Sequence, residues 1–470
     1  MDVTKQAKPE TKIDWKSIDM AVERMGEKII LPSIPGPMSY KDAREALQRI
    51  EEAENTVYAV SEVVPVHFYD GCVAFAKALK EKYGYSMSVP TPGFFGPKPP
   101  QMIHVKTGPR IDDFVQVPFG AFKIPNIDGT LQTGYAVQRG IPCFQINGSV
   151  KAKEKHIVME LVALTAHFVK EESIYKGKAV ILERDESGGV DFSEPLGFFD
   201  AKIGEEVPIF NRETELLIAT TLMAPIRNAK VCRDKKIPLK RGVLLEGPYG
   251  CGKTLTAKEV AKAAQENGWT FILVTASSAL KYALNFAKMY QPAVVFAEDI
   301  DRIADNRNEG ANDLLNQIDG VVGKKDEIIT VLTTNFAHKI DKGFLRPGRL
   351  DTVISIRPPE AEAVERLIRF YAGKELAPGT NLKAVTTKLA GQIPATIREV
   401  VERSKLSAIV NGNDHITTDD MMVGATSMEN HWKLIEEAAE GVRTPDPLAT
   451  AVGLVVNDNV RKALDAKFGK

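Results

Sequence analysis

Residues 247–254 read Gly-Pro-Tyr-Gly-Cys-Gly-Lys-Thr, the spacing G-x-x-x-x-G-K-T. An apolar run at 243–245 leads into it and helix formers follow from Leu255, so the order is strand, glycine-rich loop, helix. Each residue type has a physical reason to be there. Gly247, Gly250 and Gly252 let the backbone curl until successive N–H groups face phosphate oxygens. The helix that opens at Lys253 adds the positive end of its dipole. Lys253 supplies a point charge for the β- and γ-phosphates, and the Thr254 hydroxyl is a ligand for magnesium. Pro248, Tyr249, Cys251 and Leu255 complete the set of residues expected against the ligand. The chemistry implied is that of a nucleoside triphosphate site.

Three further segments supply groups for a reaction there. The run VVFAEDID at 294–301 ends in acids and begins 41 residues beyond Lys253, where a second acidic motif falls to meet the metal. The acids there are Glu298 and Asp299. The next apolar strand ends at Thr334-Asn335, placed to orient an attacking water, and FLRPGRLD at 344–351 carries Arg346 and Arg349.

The elements that must position these groups follow from the apolar pattern. From about Pro208 to residue 357, helices alternate with short apolar strands, which marks a parallel α/β sheet: a helix at 211–228, then FILVT (271–275), AVVFA (293–297), a helix at 312–320, IITVLTTN (328–335) and TVISI (352–356). Residues 358–424 read as wholly helical, and 425–470 as a helical extension split by TPDP. Ahead of this, residues 1–14 form a polar tail and 15–200 an α+β domain. In that domain helices are expected at 39–64, 69–83 and 153–169, and strands at 102–108, 114–125, 143–148 and 179–184. No carboxylate pair, nucleophile–base pair or metal constellation stands out in it.

Composition narrows the class. The chain has 470 residues, 44% hydrophobic and 26% charged, room enough for several packed cores. A net charge of −1 gives no basic field for nucleic acid or an anionic membrane. The four cysteines are scattered, one of them inside the loop, which argues for a reducing compartment and against a disulfide frame. No run of apolar residues is long enough to span a bilayer. A cytoplasmic location is the expectation.

From the loop through TTNFAHKIDKGFLRPGRLD to the helical segment, about residues 205–425, the chain resembles the AAA+ ATPases, and within them the AAA group. The resemblance implies a P-loop NTPase parallel sheet with a C-terminal helical lid, binding ATP with Mg²⁺ and hydrolysing it. It implies that Asn335 is the residue that senses the γ-phosphate, and that Arg346 and Arg349 are arginine fingers completing a neighbouring subunit's site. Such fingers imply a ring of identical chains, a hexamer, acting on a macromolecular partner, in this case a protein. ATIREVVERS (395–404) resembles the second sensor helix and makes Arg398 a candidate contact to the γ-phosphate. Residues 27–200 are similar to the leading domain of AAA ATPases of actinobacterial phages, which would place the protein in a host cytoplasm.

Two departures bear on activity. The family ends its acidic strand Asp-Glu, whereas this chain has Glu298-Asp299, so the resemblance implies Glu298 on the metal and Asp299, one methylene shorter than the family's acid, on the water; a one-residue shift, with Asp299 on the metal, is the other reading. A misplacement of about 1 Å costs on the order of 100-fold in rate. The segment 276–292 is also short for a substrate-gripping pore loop; Tyr282 fits that role or simple helix packing. Two other readings therefore stand beside a remodelling ATPase. One is a nucleotide-gated assembly switch with little hydrolysis. The other is a DNA-directed relative, which the near-zero charge disfavours.

Overall fold

The structure is a computed structural model that describes residues 39–85, 87–90, 96–182, 196–201, 207–275, 279–300, 322–323, 325–336 and 350–428. The chain divides into two compact units, residues 1–174 and 175–470.

In the first unit, Ser39 caps helix α1 (Tyr40–Asn55) by accepting the Asp42 N–H at 3.2 Å. The helix stops there, short of the expected residue 64, because VYAVSEVVPVH forms strand β1 (Val57–His67) instead. Val57 and Val60 suit helical spacing, but β-branched residues crowd the preceding turn of a helix and pack well in a pleated strand. Pro65 is tolerated because β1 pairs on one side only and the register shifts between Val63 and His67. Helix α2 (Phe68–Tyr83) ends at Gly84. A hairpin of β2 (Gln101–Lys106) and β3 (Phe114–Phe119) stands as its own two-stranded sheet.

Strands β4 (Ala121–Phe122), β5 (Leu131–Gln138) and β6 (Ile141–Lys151) join β1 in an antiparallel sheet of order β1-β6-β5-β4. β5 escapes the sequence pattern because LQTGYAVQ buries only its first residues. Helix α3 (Lys155–Glu172) packs on α2, and the Phe75 ring sits 5.3 Å from Phe122 and 5.6 Å from Phe144. Buried Asp70 ties α2 to the end of α3, accepting from Ser173 Oγ at 2.6 Å and the Ile174 N–H at 2.9 Å.

The second unit is built on seven strands: β7 (Ala179–Leu182), β8 (Gly197–Phe198), β9 (Arg241–Glu246), β10 (Thr270–Val274), β11 (Ala293–Ala297), β12 (Ile328–Thr334) and β13 (Thr352–Ser355). Their order is β13-β9-β12-β11-β10-β7-β8, with every pair parallel except β7–β8. Residues 175–200, assigned from sequence to the leading domain, thus supply two strands to this sheet. Every residue of β10, β11 and β12 is buried, as a parallel sheet covered on both faces requires.

Helix α4 (Arg212–Leu217) continues through a π-helical stretch, Ile218–Met223, into Ala224–Arg227; α5 (Lys253–Glu266) and α6 (Leu280–Met289) connect the central strands. Tyr282 lies inside α6, buried, its ring stacked 6.2 Å from Phe286. It is a core residue, so the pore-loop reading of this tyrosine does not hold.

Helices α7 (Ala361–Ala372), α8 (Lys383–Leu389), α9 (Pro394–Asn411) and α10 (Thr418–Ser427) gather a separate core around Leu367, Val385, Ile397 and Met421. This helical lid is tied to α4 at its root. Asn211 accepts the Glu360 N–H at 2.8 Å and donates to the Pro358 carbonyl at 3.2 Å. Arg366 reaches Glu215 at 2.6 Å and also donates to the Phe210 carbonyl. The fold is an α/β P-loop core with a C-terminal helical lid. The expected helix at 312–320, the arginine segment and the extension beyond 428 lie outside the described residues.

Candidate nucleotide site

Ligands of open parallel sheets sit beyond the carboxyl ends of the strands, and the ends of β9, β11 and β12 bring the sequence-predicted groups together. The register pairs Glu246 with Thr334 and Ala297 with Leu332, so the residues after each strand meet at one level. The phosphate loop begins at once after β9. Gly247 has φ 157°, and a Cβ there would come within 2.3 Å of the Ile356 carbonyl oxygen. Gly252 caps α5 in the left-handed region, at φ 101°, with Phe210 lying 3.2 Å from where its Cβ would be. No other residue fits either position without strain.

Lys253 is buried, and its Nζ donates to the carbonyls of Gly247 at 2.7 Å and Pro248 at 3.0 Å and to Asn335 Oδ1 at 2.7 Å. The Asn335 amide in turn donates to Asp299 Oδ1 at 3.0 Å. On the other side of the loop, Thr254 Oγ1 donates to Glu298 Oε1 at 2.9 Å. The two neighbouring acids therefore face different partners: Glu298 the first-turn hydroxyl of α5, Asp299 the amide at the end of β12.

Of the remaining loop residues, Tyr249 is exposed, its ring 5.8 Å from Lys253 Nζ and edge-on to Phe336 at 6.4 Å. Cys251 is buried, and burial pushes its thiol up despite the nearby Lys253 charge, so it is no thiolate. Leu255 sits in the first turn of α5. Arg398 is exposed on α9, its guanidinium 6.0 Å from the Tyr371 ring; the start of the same helix approaches the loop, where Ile393 lies 3.1 Å from a Cβ built on Gly250. Arg346 and Arg349 lie outside the described residues.

The sequence did not single out Phe210, Thr333 or Phe336. Phe210 packs against Gly252 from a segment well ahead of the loop, and no spacing rule links the two. Thr333 carried a legible signal: two adjacent threonines end a fully buried strand. Its hydroxyl accepts the Asp299 N–H at 3.0 Å.

Residues 243–358 match the model of the ATPase family associated with various cellular activities (AAA). A 26S proteasome regulatory subunit 8 homolog of Schizosaccharomyces pombe is 27% identical over 237 residues, covering 45% of this chain and 58% of that protein. Its Saccharomyces cerevisiae counterpart is 28% identical over 246 residues, 47% of this chain and 60% of that one. The ATP-dependent zinc metalloprotease FtsH 2 of Symbiobacterium thermophilum is 31% identical over 207 residues, 39% of this chain and 35% of the protease. The match thus spans between about a third and three fifths of these relatives. Among the described residues no helix is long and apolar enough to cross a membrane. The match places an AAA ATPase domain at residues 243–358, the phosphate loop and the strands around it.

Proposed function

We propose that the protein binds ATP with Mg²⁺ and hydrolyses it as one subunit of a ring, and uses the cycle to remodel a protein partner. The observation that carries this reading is the division of labour between the acids, Glu298 bonded to Thr254 and Asp299 bonded to Asn335. The residues suit the ligands. At Gly247 and Gly252 the positive φ and the close approach of Ile356 and Phe210 admit only glycine, which keeps the loop backbone curled, and Thr254 with Glu298 offers the hard oxygen donors that magnesium prefers. The metal, when bound, would offset charge on the phosphate oxygens. Glu298, bonded to Thr254, would be its carboxylate rather than Asp299, and that bond supports the swapped acids over a shift in register.

In this reading Lys253 neutralises the β- and γ-phosphates. Asn335 and Asp299 hold a water in line. The water oxygen attacks the γ-phosphorus, the ADP oxygen leaves, and Asp299 receives the water's proton. Arg346 and Arg349 of a neighbouring copy stabilise charge on the transferring group, and Arg398 of the same chain contacts the γ-phosphate. The names of the relatives, a proteasome regulatory subunit and an ATP-dependent protease, support a protein as the partner.

One feature favours a second reading. Asp299 is the shorter acid and is already engaged by Asn335, as expected of a nucleotide-gated assembly switch with little turnover. Phosphate release from the purified protein, measured beside its oligomeric state with and without ATP, decides. Steady turnover confined to the oligomer supports the remodelling ATPase. ATP-dependent oligomers without turnover support the switch, and full-speed hydrolysis by a monomer refutes the ring.

A further inference from the structure

Asp299 leaves β11 with a left-handed backbone, φ 48°, one of four non-glycine residues among those described with positive φ. Such a conformation is uncommon for a residue with a side chain and persists where its surroundings hold it. The hydrogen bonds at the end of β11 identify the support. The Glu298 N–H goes to the Val274 carbonyl on β10, as a ladder bond would. The next two N–H groups both go to one residue of β12. The Thr333 hydroxyl accepts from Asp299 at 3.0 Å, and the Thr333 carbonyl accepts from Ile300 at 3.0 Å. A strand residue has a single main-chain acceptor. Here that carbonyl accepts from Ile300, and the Thr333 hydroxyl provides a second acceptor, placed where the chain bends left-handed at Asp299.

We propose that Thr333 is a positioning residue for the reaction: it fixes the backbone of Asp299 so that the shorter carboxylate reaches the level of Asn335. This rests on the hydrolytic reading above. Thr333 is buried and its hydroxyl bonds the Asp299 backbone, so it acts through the acid. The bond also gives a physical answer to the reversed order of the acids. A carboxylate one methylene short is brought forward by the turn of its own main chain, and the Asn335 amide meets it at 3.0 Å. Valine at position 333 would keep the shape and the β propensity but leave the Asp299 N–H without this acceptor.

The test compares the full-length wild-type chain with Thr333→Val and Thr333→Ser. The readouts are steady-state phosphate release, equilibrium binding of a fluorescent ATP analogue with Mg²⁺, and the melting curve. Thr333→Val is expected to lower kcat by roughly 10- to 100-fold, with nucleotide affinity held within about twofold and cooperative melting retained. Thr333→Ser, which keeps the hydroxyl, is expected to recover most of the rate. Unchanged kcat in Thr333→Val overturns the proposal while leaving the ATPase reading intact. So does a parallel fall in affinity and rate, or a valine variant that fails to fold together with a serine variant as slow as an Asp299→Asn control. A wild-type chain that releases no phosphate overturns the hydrolytic reading, and this inference with it.

Discussion

Lys253 Nζ and Asn335 Oδ1 stand 2.7 Å apart, which couples the cation of the phosphate loop to the residue that ends the neighbouring strand. The two substitutions should nevertheless separate binding from turnover. Lys253 is the direct cation for phosphate, and charge-assisted hydrogen bonds contribute about 1.5–3 kcal/mol each. Lys253→Ala is expected to weaken ATP binding by about 100-fold. Asn335→Ala leaves the cation in place and removes the amide that orients Asp299, so affinity should change by less than about threefold while kcat falls on the order of 100-fold. Titration with a fluorescent nucleotide beside phosphate release reads both; equal losses of affinity in the two variants would contradict the assignment.

The two acids should also give different signatures. Glu298→Gln removes the carboxylate paired with Thr254, so the concentration of Mg²⁺ needed for half-maximal turnover is expected to rise severalfold. Asp299→Asn removes the proton acceptor, and general-base loss is expected to lower kcat by about 10²–10⁴-fold with the Mg²⁺ requirement unchanged. If the Mg²⁺ requirement instead moves in Asp299→Asn, the shifted register is the correct one.

Much of this site was legible because its chemistry demands particular residues at short range. Gly247 to Thr254 are contiguous in the chain, a loop running into the first turn of α5, and β9, β11 and β12 announce themselves as apolar runs followed by a glycine, two acids and an asparagine. What escaped the reading depends on long-range packing. β7 looks like an isolated apolar tetrad, and only its pairing with β10 removes it from the leading domain. Residues 57–63 satisfy both periodicities, and the partner strand β6 decides between them. Phe210 reaches Gly252 across a long sequence separation, and Thr333 acquires its role only because Asp299 turns left-handed beside it.

Stability of the lid should depend on Asp420. It is fully buried at the start of α10, where its carboxylate accepts from the Thr417 N–H at 3.1 Å and hydroxyl at 2.7 Å, Ser407 at 2.9 Å, and the amides of Asn411 at 2.8 Å and Asn413 at 3.0 Å. Burial pushes the carboxyl up, yet the bonds from Thr417, Asn411 and Ser407 outweigh it and hold it well below its ordinary 3.8. A depressed carboxyl stabilises the fold at pH above that ordinary value, and the contribution is lost as pH falls toward the folded-state value. Asp420→Ala is expected to destabilise the lid by on the order of 3 kcal/mol, since several donors lose one acceptor. Thermal melts of wild type and variant should differ widely at pH 7 and converge as the solution is acidified below pH 3.8; a gap that stays constant would show that the charge is not the source.

The arginine pair provides the sharpest test of assembly. If Arg349 completes a neighbour's site, Arg349→Ala spares nucleotide binding, because its own pocket keeps Lys253 and Thr254. Turnover should fall by about 10³–10⁵-fold, the range over which such groups act in trans. Mixing distinguishes a trans role from a cis one. A chain carrying Lys253→Ala has a disabled pocket but an intact Arg349, whereas Arg349→Ala keeps the pocket and lacks the arginine. Co-assembled, some neighbouring pairs combine a working pocket with a working arginine, and phosphate release should rise above the sum of the two separate proteins. Arg346→Ala is expected to behave in the same way. If the mixtures never exceed that sum while co-assembly is demonstrated, the arginines act within their own chain.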